Sequence, residues 1–141
     1  MEKNSLLEPF YFPPFSEISD ADYLPAIKKA IEWAELEIDR IAHSKEEANF
    51  QNTIEALEFS GLPLGRISSV LFNLHSAETT DALEEVSMQV SPLLSKHSND
   101  VLLNQDLFER VQTVWNKRAR LELSAVEYRL LEKTWKAFSR N

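Results

Sequence analysis

Leu24, Ile27, Ile31, Ala34, Ile38 and Ile41 follow one another in alternating steps of three and four residues. At about 100° per residue, that spacing puts all of them on one side of an α-helix, whereas a strand would need a period of two. Lys28, Lys29, Glu32, Glu35, Asp39 and Arg40 fill the opposite, charged face. The pattern predicts a helix over about 20–42, capped by Asp20, with Pro25 close enough to the start to be tolerated.

The same periodicity recurs along the chain. Ile54, Leu57, Leu64, Ile67, Leu71 and Leu74 keep one drifting arc across "EFSGLPLGRIS", so a single helix is expected over about 50–76. It starts after Asn49 or Asn52, and Asn52-Thr53-Ile54-Glu55 resembles a capping box. Pro63 cannot donate to the Phe59 carbonyl and should kink this helix. The rival reading takes Gly61 as a helix-ending residue and Pro63 as a first-turn residue. Gly61 and Gly65 are the only two glycines, and they would let a neighbouring helix come close. A third helix is expected over about 80–98 after Thr79-Thr80-Asp81, with Leu83, Val86, Val90, Leu93 and Leu94 inward and a bend at Pro92. A fourth follows Asn104, carrying Leu107, Phe108, Val111, Val114 and Trp115. A fifth follows the capping box Ser124-Ala125-Val126-Glu127, with Tyr128, Leu131, Trp135 and Phe138 on its buried face.

"LLEPFYFPPFSEI" fits neither period and contains Pro13-Pro14. Residues 1–18 read as an extended N-terminal arm. Its Leu6, Leu7, Phe10, Phe12 and Phe15 call for cover, from the helices or a second copy of the chain, or else mark a docking motif for another domain or protein. Residues 19–141 read as one helical domain. The fold class is all-α: about five long, roughly antiparallel helices joined by short links.

Acidic residues outnumber basic ones by 23 to 15, a formal charge of −8, and no basic run stands out, which argues against nucleic acid or an anionic membrane as partner. Without cysteine there is no disulfide, thiolate nucleophile or Cys-ligated metal. No apolar run approaches the roughly 20 residues that span a bilayer. A cytoplasmic chain is expected.

Chemistry-bearing residues do not converge. His43, His75 and His97 each have an acid three residues on (Glu46, Glu78 and Asp100), but none has a second His four residues away, so no HExxH helix exists. All three lie near expected helix ends, where His suits the C-terminal dipole. Glu32 and Glu35 belong to a solvated face. Ser68 and Ser69 lack the strand–turn–helix setting of an activated serine. Gly61 and Gly65 lack the Gly-Lys-Ser/Thr ending of a phosphate loop. Trp33, Trp115 and Trp135 read as core or interface anchors. No catalytic, cofactor-binding or metal-binding residue is assigned.

The ordered segments "YLPAIKKAIEWAELEIDRIA", "NFQNTIEALEFSG", "RISSVLFNLHSAETTDALEEV", "SPLLSKHSNDVLLNQDLFERV" and "RLLEKTWKAF" nevertheless form a familiar array. Together with the arm, it resembles the N-terminal region of the thimet-oligopeptidase-like zinc metallopeptidases, in the branch of bacterial oligopeptidase A and peptidyl-dipeptidase (dipeptidyl carboxypeptidase). The resemblance implies a large helical enzyme that cuts short peptides in a channel between two lobes. Zinc would sit on an HExxH helix in the C-terminal part, and these N-terminal helices would form one wall. On this reading the chain is a non-catalytic fragment, inactive alone, whose partners are the remainder of the same polypeptide and short peptides. Self-association through exposed apolar surface is a further expectation. The alternative reading is a free-standing helical interaction module without catalytic activity.

Overall fold

The computed structural model describes residues 20–77 and 80–140. The arm expected over 1–18 lies outside them. The fold is all-α, with no strand among the described residues: α1 (Asp20–Ala42), a π-helical segment (Phe50–Glu55), α2 (Ala56–Ser60), α3 (Leu62–Ala77), α4 (Asp81–Leu102), α5 (Gln105–Asn116), a 3-10 turn (Arg118–Arg120) and α6 (Ala125–Ser139). Two compact units share the chain, Met1–Ala34 with Gly61–His97 and Glu35–Ser60 with Ser98–Asn141.

In the first unit, Tyr23, Ala26, Ile27 and Ala30 of α1 meet Leu64, Ile67, Val70 and Leu71 of α3 and Leu83 and Val90 of α4 in one core. Each large aliphatic side chain buried there contributes about 1.5–3 kcal/mol. Leu24, Ile31, Phe72, Leu74, Val86 and Leu94 pack at its edge. Thr80 Oγ1 accepts the Leu83 N–H at 3.1 Å and opens α4 as its cap.

In the second unit, α5 packs on α6 and on the π segment. The two helices run antiparallel, because Phe108 early in α5 meets Phe138 late in α6, while Trp115 late in α5 meets Tyr128 early in α6. Leu107, Val111, Val114, Leu131 and Phe138 are buried on this pair, and Phe50, Thr53 and Ile54 on the π segment. Asn104 caps α5 through its side-chain oxygen and the Leu107 N–H at 3.0 Å. Ser124 and Glu127 form the expected reciprocal box on α6.

Four expectations change. The continuous helix over 50–76 is divided at the single residue Gly61. Pro63 leaves the Phe59 carbonyl without a donor, and Ser60 Oγ captures the Leu57 carbonyl at 2.6 Å. Gly61 has no positive φ, so it is not a left-handed cap; its carbonyl accepts the Gly65 N–H at 2.9 Å, inside the new helix.

The capping box is not Asn52–Glu55 but lies one turn earlier, at Asn49, the other of the two expected starts. Asn52 N–H donates to Asn49 Oδ1 at 2.7 Å, and Asn49 N–H donates back to Asn52 Oδ1 at 2.8 Å. The first turns are then π-wound, with the Ala56 N–H reaching back to the Gln51 carbonyl.

Gly65 is not a point of close approach, since a Cβ added there meets nothing within 4 Å. Finally, α4 continues to Leu102 rather than stopping near 98, and the chain turns only where the Leu103 N–H closes on Asn99 and the Asn104 N–H on Val101. His97 is therefore inside a helix, not at its end.

Candidate functional site

The residue types that carry chemistry are held by structural contacts. His43 follows the last turn of α1. Its Nδ1 lies 3.0 Å from Asp39 Oδ1 and 3.1 Å from the Asp39 carbonyl, and its Nε2 lies 3.1 Å from Asp106 Oδ2. With acceptors at both nitrogens, the hydrogen bond to Asp106 and then the Asp39 charge raise its pKa above the usual 6.5. This is the helix-end role expected for His43, with different acids: Glu46 instead gives its carbonyl to Arg110.

Among the described residues, no group of three His, Cys, Asp or Glu side chains can hold a metal ion. These residues therefore do not fit the zinc that the resemblance implies for the whole enzyme. Glu32 is exposed and pairs with Lys29 at 3.5 Å. Ser68 is back-bonded to the Leu64 carbonyl at 2.6 Å within α3.

A polar cluster surrounds Arg110 of α5. Its Nη1 donates to the carbonyls of Ser44 and Glu46 at 3.1 and 2.9 Å, and its Nη2 to Asn52 Oδ1 at 3.3 Å. Asn52 Nδ2 donates to the Glu47 carbonyl at 2.9 Å. A planar guanidinium can serve several acceptors at fixed angles, so one side chain holds both the 43–49 loop and the box that starts the π segment. Lys117 pairs with Glu47 at the edge of this cluster and lowers the Glu47 pKa from 4.5, mainly through their hydrogen bond.

Aromatic residues gather beside it in the same unit. Trp115 and Trp135 stack with centroids 4.5 Å apart, Arg118 covers Trp115 at 4.0 Å, and Trp135 Nε1 donates to Gln112 Oε1 at 2.9 Å. Both tryptophans are thus packing anchors, as expected. Trp33 stays partly exposed on α1.

A groove of about 670 Å³ runs between α3 and α4 in the first unit, lined by Phe72, His75, Glu84, Ser87, Met88, Ser91, Pro92 and Ser95. Serines at steps of four on α4, Ser87, Ser91 and Ser95, carry no sequence signal of a groove. No helix among the described residues is long and apolar enough to cross a membrane.

Taken together, the geometry is that of an all-helical scaffold whose polar contacts fasten loops and helix ends. No family model matches the chain. It is 39% identical over 124 residues to a dipeptidyl carboxypeptidase of Escherichia coli (strain K12), an alignment covering 88% of this chain and 18% of the relative. A dipeptidyl carboxypeptidase of Salmonella typhimurium is 37% identical over 94% of this chain and 20% of its own length. Oligopeptidase A of Escherichia coli is 32% identical over 75% of this chain and 16% of its own length. The chain is thus a homologue of these dipeptidyl carboxypeptidases and of oligopeptidase A over most of its own length. It spans about a fifth of the length of these relatives, 18% and 20% for the two dipeptidyl carboxypeptidases.

Proposed function

We propose that this chain is the N-terminal, non-catalytic part of a cytoplasmic zinc-dependent oligopeptidase or peptidyl-dipeptidase that hydrolyses short peptides. Its helices form one wall of the substrate channel. Zinc and its HExxH helix belong to the C-terminal remainder of the polypeptide, which is this chain's principal partner. The supporting observation is the asymmetry of the alignments: 88% of this chain matches, against 18% of the relative. A segment so placed acts by shape, limiting which peptides reach the metal.

Reconstitution tests the reading. The chain is mixed with a separately produced C-terminal remainder, and a short fluorogenic peptide is assayed. Chelator-sensitive hydrolysis that needs both parts is expected. A remainder that is fully active and equally selective without this chain would overturn the proposal and leave the free-standing interaction module.

A further inference from the structure

The His43 ring meets acceptors at both of its nitrogens, and the acceptors come from different helices of the second unit. Nδ1 lies 3.0 Å from Asp39 Oδ1 and 3.1 Å from the Asp39 carbonyl, one turn back in α1. Nε2 lies 3.1 Å from Asp106 Oδ2, in the first turn of α5 and 63 residues away in sequence. An ionised carboxylate has no proton to give, so both contacts are hydrogen bonds only while the ring carries two N–H groups. A neutral ring keeps one. Two oxygens compete for that proton at Nδ1 and one at Nε2, which favours the Nδ1–H form. The bare Nε2 then turns its lone pair toward the Asp106 carboxylate, and the contact between the two helices becomes repulsive.

The other charged groups nearby are engaged elsewhere or exposed. On α1, Arg40 pairs with Glu37 at 2.9 Å. In the loop that follows, Lys45 and Glu46 are exposed and Glu47 pairs with Lys117. On α5, Glu109 is exposed, and Arg110, one turn beyond Asp106, donates to the Ser44 and Glu46 carbonyls. A guanidinium does not titrate in this range, so Arg110 holds those carbonyls at any pH. Loss of the Asp106 contact therefore frees the junction at the end of α1 and not the rest of the loop. The His43 pKa agrees in direction. It is raised above 6.5, first by the hydrogen bond to Asp106 and then by the Asp39 charge.

We propose that His43 is a proton-operated clasp: with both nitrogens protonated it ties the end of α1 to the start of α5 through Asp106, and on losing one proton it keeps Asp39 and releases Asp106. The clasp is closed below the His43 midpoint and opens as pH rises through it.

NMR of the unaltered chain, with 15N in its imidazoles, tests this without any substitution. Below the midpoint both His43 nitrogens should carry protons, and the ring protons should show a nuclear Overhauser effect to the Asp106 methylene. Above it the proton should remain on Nδ1 and that effect should vanish. An effect that persists at high pH, or a neutral ring protonated at Nε2, would overturn the proposal. Asp106→Asn adds a second reading, because a carboxamide can accept from a protonated Nε2 or donate to a bare one. In this variant the midpoint should fall, and by more than in Asp39→Asn, and the contact should survive on both sides of it. An unchanged midpoint in Asp106→Asn, or a contact still lost at high pH, would overturn the proposal.

Discussion

The indole rings of Trp115 and Trp135 lie 4.5 Å apart and within 9° of parallel, and the Trp135 N–H is held by Gln112. The stack closes the α5–α6 pair between residues from both helices, and the Arg118 guanidinium covers the outer face of Trp115. Trp135→Phe would shorten the stacked surface and remove the donor to Gln112 Oε1, whose Nε2 still donates to Asn116. It should destabilise the chain by about 1–2 kcal/mol, the sum of a weakened aromatic pair and a lost hydrogen bond. A urea titration followed by far-ultraviolet circular dichroism reads this as a lower midpoint at unchanged slope.

Much of this fold could be read from the sequence because local and tertiary preferences agree. The Ser124–Glu127 box, the Asn104 cap and the stripe of α1 depend on neighbours three or four residues away. What the pattern missed depends on distant partners. Tyr23, Ala26 and Ala30 are buried to 0–1% exposure, yet alanine carries too little apolar surface to register in a stripe of isoleucines. Tyr128, expected inside, is partly exposed because it sits at the rim of the stack. Arg110 gave no signal at all: its role appears only when the 43–49 loop folds over α5.

Gly65 lies inside α3 with nothing within 4 Å of where a Cβ would stand. Gly65→Ala should therefore relieve the entropic cost of a helical glycine without a clash, a gain of about 0.5–1 kcal/mol. Thermal unfolding of the variant should shift upward. A downward shift would mean that something packs on this face.

Arg110→Lys keeps the charge and loses the fork. One ammonium cannot reproduce the spread of contacts to the Ser44 and Glu46 carbonyls and Asn52 Oδ1. The expected cost is about 1–3 kcal/mol, and it should be local before it is global. Amide exchange at 44–49 should speed up, with exchange in the core of α3 unchanged.

His43 gives the chain a pH response of known sign. Its pKa is raised in the folded state by Asp106 and Asp39, so the protonated ring binds better folded than unfolded. The contribution is fully present below the unfolded value near 6.5 and fades as pH rises through the raised folded value. Glu47 works in the opposite direction. Lys117 depresses its pKa, so its contribution is present above about 4.5 and is lost as pH falls through the depressed value. Both groups are exposed, so the effects are small. His43→Asn should flatten the stability profile above pH 6 and leave the acid limb unchanged, as read by urea midpoints across the range.

The final prediction concerns hydrolysis. In the proposed reading, cleavage needs a water activated by zinc and a base beside it. Among the described residues, His43 has both ring nitrogens against aspartate oxygens, Ser68 is tied to its own helix, and no three potential ligands converge. The chain by itself should therefore bind no stoichiometric zinc by elemental analysis after dialysis. It should not cleave a short fluorogenic peptide above background, whether or not zinc is added. Chelator-sensitive cleavage by residues 1–141 alone would require a metal site built from this chain, and would overturn the assignment of the chemistry to the C-terminal remainder. Inactivity here together with recovery on reconstitution would locate this chain's contribution in the channel wall.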